Sequence, residues 1–326
     1  MGTSQDNNIA IEVKKLTKRY GELTAVDEIS FDVKRGEIFG FLGPNGAGKT
    51  STINMLTGLC SISSGELKIN GQSSVKKIQE MIGVVPSESN LYPELSGFEN
   101  LCFCASLYGM RRREREREAG RLLEMFNLSE AADRPFRAYS KGMKRKLAIA
   151  AAIIHRPDIL FLDEPTTGID VASARQIRRL ISEMNKAGTT IFLTTHYLEE
   201  AERLCERVAF IVRGKIKQLA ETEQLLKGAR KDNVLEFLLD RDITLEKGPL
   251  LEGLSDYRPV FDKDKVRIHT PCEMDIKYFV DIFDEWRYRV YEAKLIRPAL
   301  EDVFVEITGI GPGEAEAGKN KGGREN

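Results

Sequence analysis

The residues GPNGAGKT, from Gly43 to Thr50, constrain the fold of this chain more than any other part of the sequence. They match the pattern GxxxxGK[ST], and they stand between a short apolar segment, Ile38–Leu42, and a helical pattern that begins near Gly48. Glycine lets the backbone turn tightly, so that amides in this loop point at phosphate oxygens at a helix N-terminus. The alternative is a purely structural glycine-rich turn, which the strand and helix on either side disfavour.

Apolar segments of strand length alternate with helical patterns from about Ile9 to Ala220, which is typical of an α/β domain with a mostly parallel core sheet. Three segments are short apolar runs, as expected of buried parallel strands: Ile38–Leu42, Ile159–Asp163 and Thr189–Thr195. Helical patterns over 98–126 and 140–154 predict an inserted helical subdomain, over about residues 95–155.

The composition changes after Glu221, where alternating segments such as VLEFLL and VRIHT accompany a helical pattern over Cys272–Trp286. We therefore predict a first domain over residues 1–221 and a small C-terminal α+β accessory domain over 222–308, for which dimer stabilisation is a hypothesis. The last residues, 309–326, are rich in glycine and charge and have almost no large apolar side chains. They predict a disordered tail.

Composition limits the classes of protein that this chain can belong to. Lys and Arg number 49 and Asp and Glu 50, for a net charge of -1, which does not favour nucleic acid as a partner. The longest apolar run, Leu147–Ile154, is far too short to cross a bilayer, and no signal peptide is visible, so we expect a cytoplasmic chain. Five cysteines without a CxxC pair argue against a disulfide or metal framework.

Two pairs of side chains predict chemistry on a bound phosphate. Lys49 would reach the β- and γ-phosphates, and the Thr50 hydroxyl would bind Mg²⁺. Asp163 and Glu164 end an apolar strand, where side chains of an open α/β sheet point into the ligand crevice. Asp163 can hold Mg²⁺, directly or through water, and Glu164 is placed to polarise an attacking water. The alternative is two solvated acids at a strand end.

His196 follows the apolar strand 189–195 and is a candidate for contact with the γ-phosphate, although a lone histidine is more often structural. The run RRREREREAGR, Arg111–Arg121, gives opposite charges at helical spacing, such as Arg112 with Glu116 and Glu118 with Arg121. This spacing favours a solvated helix face, with contact to a membrane partner or to acidic headgroups as the alternative.

Together these motifs resemble the nucleotide-binding subunits of ATP-binding cassette transporters over about residues 9–221. YSKGMKRK, Tyr139–Lys146, looks like the family signature LSGGQ, and TTGID, Thr166–Asp170, is similar to the D-loop. His196 stands at the switch-histidine position. Tyr20 matches the aromatic that stacks on adenine, the alternative being an ordinary strand aromatic. The fold implied is a P-loop NTPase cassette.

The resemblance implies ATP and Mg²⁺ as cofactors. It implies catalytic roles for Lys49, Glu164 and His196 and metal ligation by Thr50 and Asp163. The implied nucleotide-binding residues are Tyr20, Asn45, Gly46, Ala47, Gly48, Lys49, Thr50, Ser51, Ser140 and Gly142.

Ser140 and Gly142 precede a helix, so a hydroxyl and backbone amides are available at its positive end. In the family this end faces the γ-phosphate bound by the other subunit. Since one phosphate loop and one signature occur here, the resemblance implies a second ABC subunit, as a homodimer or a heterodimer. The expected function is an ATPase that dimerises on ATP and powers a separate transmembrane permease, for export, from the inner face of the membrane.

Two positions depart from the family pattern. Ser87 occupies the place of the usual glutamine, so the contacts normally given to that glutamine are in doubt; Glu88 or a water could assist. Lys141 and Met143 replace the second and last positions of the LSGGQ form. The resulting KGM variant is familiar in multidrug and daunorubicin-type exporter ATPases, whose end the segment 297–309, RPALEDVFVEITG, also resembles.

Two alternatives from other classes stay open. One is a soluble, non-transport cassette ATPase that acts on ribosomes or DNA; the paired cassettes or long coiled coil of such proteins are absent from this sequence. The other is an inactive regulatory binding module, which rests on Ser87 alone.

Overall fold

The structure is a computed structural model that describes residues 8–88, 90–229, 233–243, 254, 257–270, 275–296 and 299–310. The chain divides into two compact units. One holds the chain up to Thr222 together with the stretch from Phe304 onward, and the other holds Glu223–Val303.

The first unit contains nine described strands. They are β1 (Ile9–Tyr20), β2 (Leu23–Lys34), β3 (Ile38–Leu42), β4 (Ser64–Ile69), β5 (Ile82–Val85), β6 (Ile159–Asp163), β7 (Thr190–Thr195), β8 (Arg207–Val212) and β9 (Lys215–Glu221). Six form one sheet in the order β5-β6-β7-β3-β8-β9, parallel except for β9. Every residue of β3, β6 and β7 is buried, as the continuous apolar runs predict.

A second, antiparallel sheet has the order β2-β1-β4. Phenylalanines from both sheets form a shared aromatic core. Phe31 of β2 stacks on Phe39 of β3 with ring centroids 5.6 Å apart, and Phe192 of β7 lies within 6.0 Å of both. These buried rings hold the two sheets face to face, which fixes the strand ends that carry the site.

Helices connect the strands of the first unit. They are α1 (Lys49–Leu56), α2 (Val75–Met81), α3 (Gly97–Leu107), α4 (Arg112–Met125), α5 (Lys141–Ile153), α6 (Val171–Lys186), α7 (Leu198–Leu204) and α8 (Thr222–Ala229), of which α8 continues into the second unit. Ser96 begins α3 with a capping box, since its hydroxyl accepts from Glu99 N and the Glu99 carboxylate accepts from Ser96 N. Helices α3 to α5 occupy the chain between the neighbouring strands β5 and β6, as predicted for a helical insertion.

The charge run on α4 forms both expected pairs, Arg112 with Glu116 at 2.8 Å and Arg121 with Glu118 at 2.6 Å. The expectation of a fully solvated face is wrong at Glu118, whose side chain is only 3% exposed. Arg156, just after α5, donates to the second oxygen of Glu118 at 3.1 Å. This carboxylate therefore ties α4 to the end of α5.

The second unit contains β10 (Asn233–Leu239), β11 (Val260–Asp262), β12 (Lys265–Thr270), α9 (Ile276–Glu285) and β13 (Val290–Ile296). The strands form an antiparallel sheet in the order β11-β12-β10-β13. Phe237 of β10 contacts Phe279 and Phe283 of α9, which have no exposed surface. This is the α+β architecture expected for the accessory region.

The last described helix, α10 (Leu300–Thr308), begins in the second unit and ends in the first, where Phe304 contacts Phe210 of β8 edge to face at 5.2 Å. The predicted α/β cassette fold is confirmed, whereas the predicted boundaries at 221 and 308 stay predictions. The proposed disordered tail lies almost wholly outside the described residues. Within the described ranges, none of the helices has the length and apolar character that a bilayer crossing needs.

Candidate functional site

The phosphate loop joins the end of β3 to the start of α1. Gly48 precedes the helix with φ 105°, and a Cβ there would lie 2.6 Å from the carbonyl oxygen of Ala25, so only glycine fits. The N-terminus of α1 has no side-chain cap and no acidic residue in its first turn. Its amides and positive dipole end are therefore available to an anion. Predicted binding residues Asn45 to Ser51 all lie on this loop and first turn.

Lys49 lies buried beneath the loop, with 5% of its surface exposed. Its ammonium donates to the carbonyl oxygens of Gly43 at 2.8 Å and Pro44 at 3.1 Å, and Nζ lies 3.4 Å from Oε1 of Glu164. Burial lowers the pKa of Lys49, and the neighbouring charges of Glu164 and Asp163 oppose that effect. The lysine thus binds the backbone at the start of the loop while its ammonium faces the carboxylate of Glu164.

Asp163 ends β6 and is 3% exposed. Its Oδ2 accepts a hydrogen bond from Thr50 Oγ1 at 3.2 Å, and its Oδ1 accepts one from Thr194 Oγ1 of β7 at 2.5 Å. A hydroxyl and a carboxylate oxygen thus meet at the start of α1. Hard oxygen ligands of this kind suit Mg²⁺, so Thr50 and Asp163 fit the predicted metal role.

Glu164 follows with a left-handed backbone, φ 48°, which is strained for a residue with a side chain. His196 Nδ1 lies 3.2 Å from Glu164 Oε1, at ion-pair distance, and no described residue forms a hydrogen bond with that nitrogen. Thr167 Oγ1 donates to Glu164 Oε2 at 3.2 Å. The contact with His196 is the main cause that lowers the pKa of Glu164 from 4.5 to about 2, with Lys49 and Thr167 adding to it and burial opposing it.

The other predicted binding residues make their described contacts outside this cluster. Tyr20 is the last residue of β1, is 47% exposed, and has Lys18 Nζ 4.8 Å from its ring centroid. Ser140 is the exposed N-cap of α5, and its hydroxyl accepts from Met143 N at 3.2 Å. At Gly142 a Cβ would lie 2.3 Å from Ser173 Oγ. A side chain at position 142 would therefore press on Ser173 of α6.

Sequence reasoning missed several residues around the carboxylates. Thr194 and Thr167 bind Asp163 and Glu164 respectively, and Arg145 binds the backbone on both sides of Glu164. One signal was present for Arg145: it lies on the buried face of α5, at helical spacing from Gly142 and Ile149. A charge on an apolar helix face needs a buried partner.

Three separate segments therefore meet at this site: the phosphate loop with the start of α1, the end of β6 with Glu164, and the end of β7 with His196. The site offers two cationic or hydrogen-bonding groups, Lys49 and His196, and two carboxylates, Asp163 and Glu164. Such a set can bind a polyphosphate with a divalent cation and orient a water beside the terminal phosphate.

Comparison with known proteins gives consistent matches. The model of the family described as ABC transporter matches residues 26–167. The linearmycin resistance ATP-binding protein LnrL of Bacillus subtilis is 38% identical over 69% of this chain and 74% of its own length. The Nod factor export ATP-binding protein I of Paraburkholderia xenovorans is 36% identical over 92% of this chain and 97% of its own. A dimeric, post-hydrolysis structure of the ATP-binding cassette MJ0796, bound to ADP and Pi, has a TM-score of 0.61 and 27% identity, covering 65% of this chain and 98% of that one.

Proposed function

Because the chain belongs to the ABC transporter family, as an ATP-hydrolysing subunit, we propose that it dimerises on MgATP and drives a separate membrane permease in export. The observation that carries this proposal is the convergence of Lys49, Glu164 and His196 beneath the uncapped start of α1. Export is proposed because one of the two relatives compared above is named as a resistance protein and the other as an export protein. Their cargo is not carried over to this chain.

In the proposed mechanism, the loop amides and Lys49 bind the β- and γ-phosphates, and Tyr20 stacks on adenine. Bound Mg²⁺, held by Thr50 and Asp163, would supply positive charge at the phosphate oxygens. Glu164 accepts a proton from the water, whose oxygen bonds to the γ-phosphorus as the bond from that phosphorus to the β–γ bridging oxygen breaks and ADP leaves; His196 donates a hydrogen bond to the γ-phosphate. In the structure Lys49 and His196 face Glu164. Their transfer to phosphate would free this carboxylate and raise its pKa, which makes it a better base.

Dimerisation is proposed because the first unit offers one phosphate loop and one signature helix. Ser140 is exposed at the N-terminus of α5, and no acidic residue stands in the first turn of that helix. This end is therefore suited to an anion supplied from outside the chain. The phosphate of a nucleotide bound by a second cassette, identical or different, is the anion that we propose.

A permease contact is proposed on an exposed aromatic patch of the helical insertion. Tyr92 and Phe103 meet edge to face at 4.9 Å and are 50% and 36% exposed, while Leu107, one turn along α3, is 69% exposed. Large apolar side chains grouped on a surface mark a protein or membrane contact. The proposal places this patch against the permease, at the inner face of the membrane.

The test is a pull-down of Glu164→Gln protein from native cells with ATP, after mild detergent, with partners identified by mass spectrometry. Loss of the proposed base should trap the ATP-bound dimer on its partners. Recovery of a protein with several membrane spans would support the transporter function. Recovery of ribosomes or DNA-processing proteins would support the non-transport alternative, and steady turnover of ATP by the wild type would exclude an inactive module.

A further inference from the structure

Arg145 of α5 is a buried cation whose hydrogen-bond partners are backbone oxygens. It is 5% exposed, and among the described residues it forms no ion pair with a carboxylate. Its guanidinium donates to Pro165 O at 2.9 Å and to Asp163 O at 2.5 Å, and it also donates to the carbonyl of Pro86 and to Ser87 O at 3.4 Å. Burying a guanidinium costs free energy, and the four backbone acceptors offset part of that cost.

Two of those bonds bracket Glu164. The carbonyls of Asp163 and Pro165 belong to the residues immediately before and after it, and both point at Arg145. Glu164 itself has φ 48°, and its amide donates to Thr194 O at 3.0 Å. A left-handed backbone persists at a residue with a side chain only where its surroundings hold it there. Arg145 holds both flanking peptides of the proposed base.

The remaining bonds connect the same guanidinium to the segment that follows β5. Pro86 and Ser87 leave β5, which pairs with β6, and their carbonyls meet Arg145. The segment is partly exposed, so a contact made from outside can displace it. Arg145 also stands less than two turns along α5 from Ser140, the exposed N-cap. Three parts of the site are thus linked through one side chain.

We propose that Arg145 is a positioning residue for hydrolysis: it fixes the orientation of Glu164 and couples the Pro86–Ser87 segment and the start of α5 to it. This inference rests on the proposed function, because it requires Glu164 to act on the attacking water. The planar fork of arginine suits this role, since it presents donors in several fixed directions at once, whereas lysine offers a single charged point. Lysine at position 145 should preserve the charge and lose the simultaneous hydrogen bonds to the carbonyls of Asp163 and Pro165.

The experiment measures steady-state hydrolysis of MgATP by the full chain carrying Arg145→Lys. We expect kcat to fall about tenfold to hundredfold with KM within about threefold, because a small displacement of a catalytic group costs rate more than binding. Arg145→Gln is the second variant, for use if Arg145→Lys fails to fold. Glutamine is neutral, so it does not leave a buried charge with too few hydrogen-bond partners. Arg145→Gln should show the same split between kcat and KM.

Arg207→Lys is the matched control. Arg207 is also a largely covered arginine, with an 11% exposed side chain that contacts Asp32 and Glu37 at 3.1 Å, and it takes no part in the site. We expect it to lose thermal stability with unchanged kcat. If Arg145→Lys lowers the measured rate only in proportion to the fraction of protein that is unfolded, the positioning role is refuted.

A double-mutant cycle separates positioning from independent action. In the Glu164→Gln protein, followed by single-turnover hydrolysis, Arg145→Lys should cause little further loss, because the group that it orients is already absent. Equal losses in both backgrounds would overturn the inference. A wild-type rate in Glu164→Gln alone would instead refute the proposed function, whereas a slow Glu164→Gln with a normal Arg145→Lys would refute only the positioning role.

Discussion

Replacing Glu164 by glutamine removes an anion that the fold stabilises through His196 and Lys49. The pKa of this carboxyl is about 2 in the folded protein against an ordinary 4.5. At 1.36 kcal/mol per pH unit, this difference corresponds to about 3 kcal/mol at pH 7, for a side chain that is only 17% exposed. Glutamine resembles the protonated acid, so we expect nucleotide-free Glu164→Gln to lose about 3 kcal/mol of unfolding free energy.

The sign of the pH dependence follows from the lowered pKa. The folded protein binds the proton less readily than the unfolded chain, so the stabilisation is complete above pH 4.5. It is lost as the pH falls from 4.5 toward 2, because the wild-type carboxylate is then protonated. The stability difference between wild type and Glu164→Gln should therefore be widest at neutral pH and should close over this acid range.

Urea denaturation without nucleotide, at several pH values, measures this difference. Glu199→Gln is the control, because that side chain is 79% exposed and, among the described residues, its ion pair is with Arg203 of its own helix, an interaction worth about 0.5 kcal/mol or less. A non-hydrolysable ATP analogue with Mg²⁺ should narrow the gap, since phosphate then engages Lys49 and His196 in both proteins. Equal stability of wild type and Glu164→Gln at pH 7, or a gap that stays constant down to pH 3, would refute the argument.

Three further changes test separate parts of the site and fold. Thr50→Ala should remove the Mg²⁺ dependence of nucleotide binding, with affinity in EDTA unchanged, and persistence of that dependence in titrations would contradict its metal role. Tyr20→Ala should weaken ATP binding by about 1–3 kcal/mol while Tyr20→Trp retains it, as measured by fluorescence titration, and an unchanged affinity in the alanine variant would leave Tyr20 an ordinary strand aromatic. Glu118→Gln should cost about 1–3 kcal/mol in thermal or urea unfolding at pH 7, an effect that fades as the pH falls below 4.5, because hydrogen bonds from Arg121 and Arg156 lower the pKa of this carboxyl. An unchanged unfolding free energy in Glu118→Gln would mean that solvent screens the exposed partners of Glu118, Arg121 and Arg156.

The features predicted well from sequence are those set by local pattern. Strands β3 and β6 match the predicted bounds, and β7 differs by one residue, because a strand buried on both faces must be apolar throughout. The phosphate loop is likewise set by local sequence, since only glycine can adopt the backbone angle at position 48 so close to Ala25. Such features depend on neighbours in the chain, and the sequence displays those neighbours directly.

Features that depend on packing between distant segments could not be predicted. The spacing of α4 indicates the pair of Glu118 with Arg121, but the burial of Glu118 depends on Arg156, which lies 38 residues farther along the chain. The bracket of Arg145 around Glu164 depends on carbonyl groups, which every residue possesses and no sequence pattern identifies. The pairing of Lys49 with Glu164 likewise appears only when β6 is placed beside the loop.

The position of the helical insertion bears on how the length of this chain can vary. The insertion leaves the sheet at Val85 and returns at Ile159, on neighbouring strands that already pair with each other. Closing this long loop carries an entropic cost that grows only logarithmically, so doubling its length would cost about 0.6 kcal/mol. Natural or engineered insertions and deletions that leave the Pro86–Ser87 segment and α5 unchanged should therefore be tolerated without loss of sheet register. Under the proposed function, the surface that faces the permease can diversify in this way while the nucleotide-binding sheet is preserved.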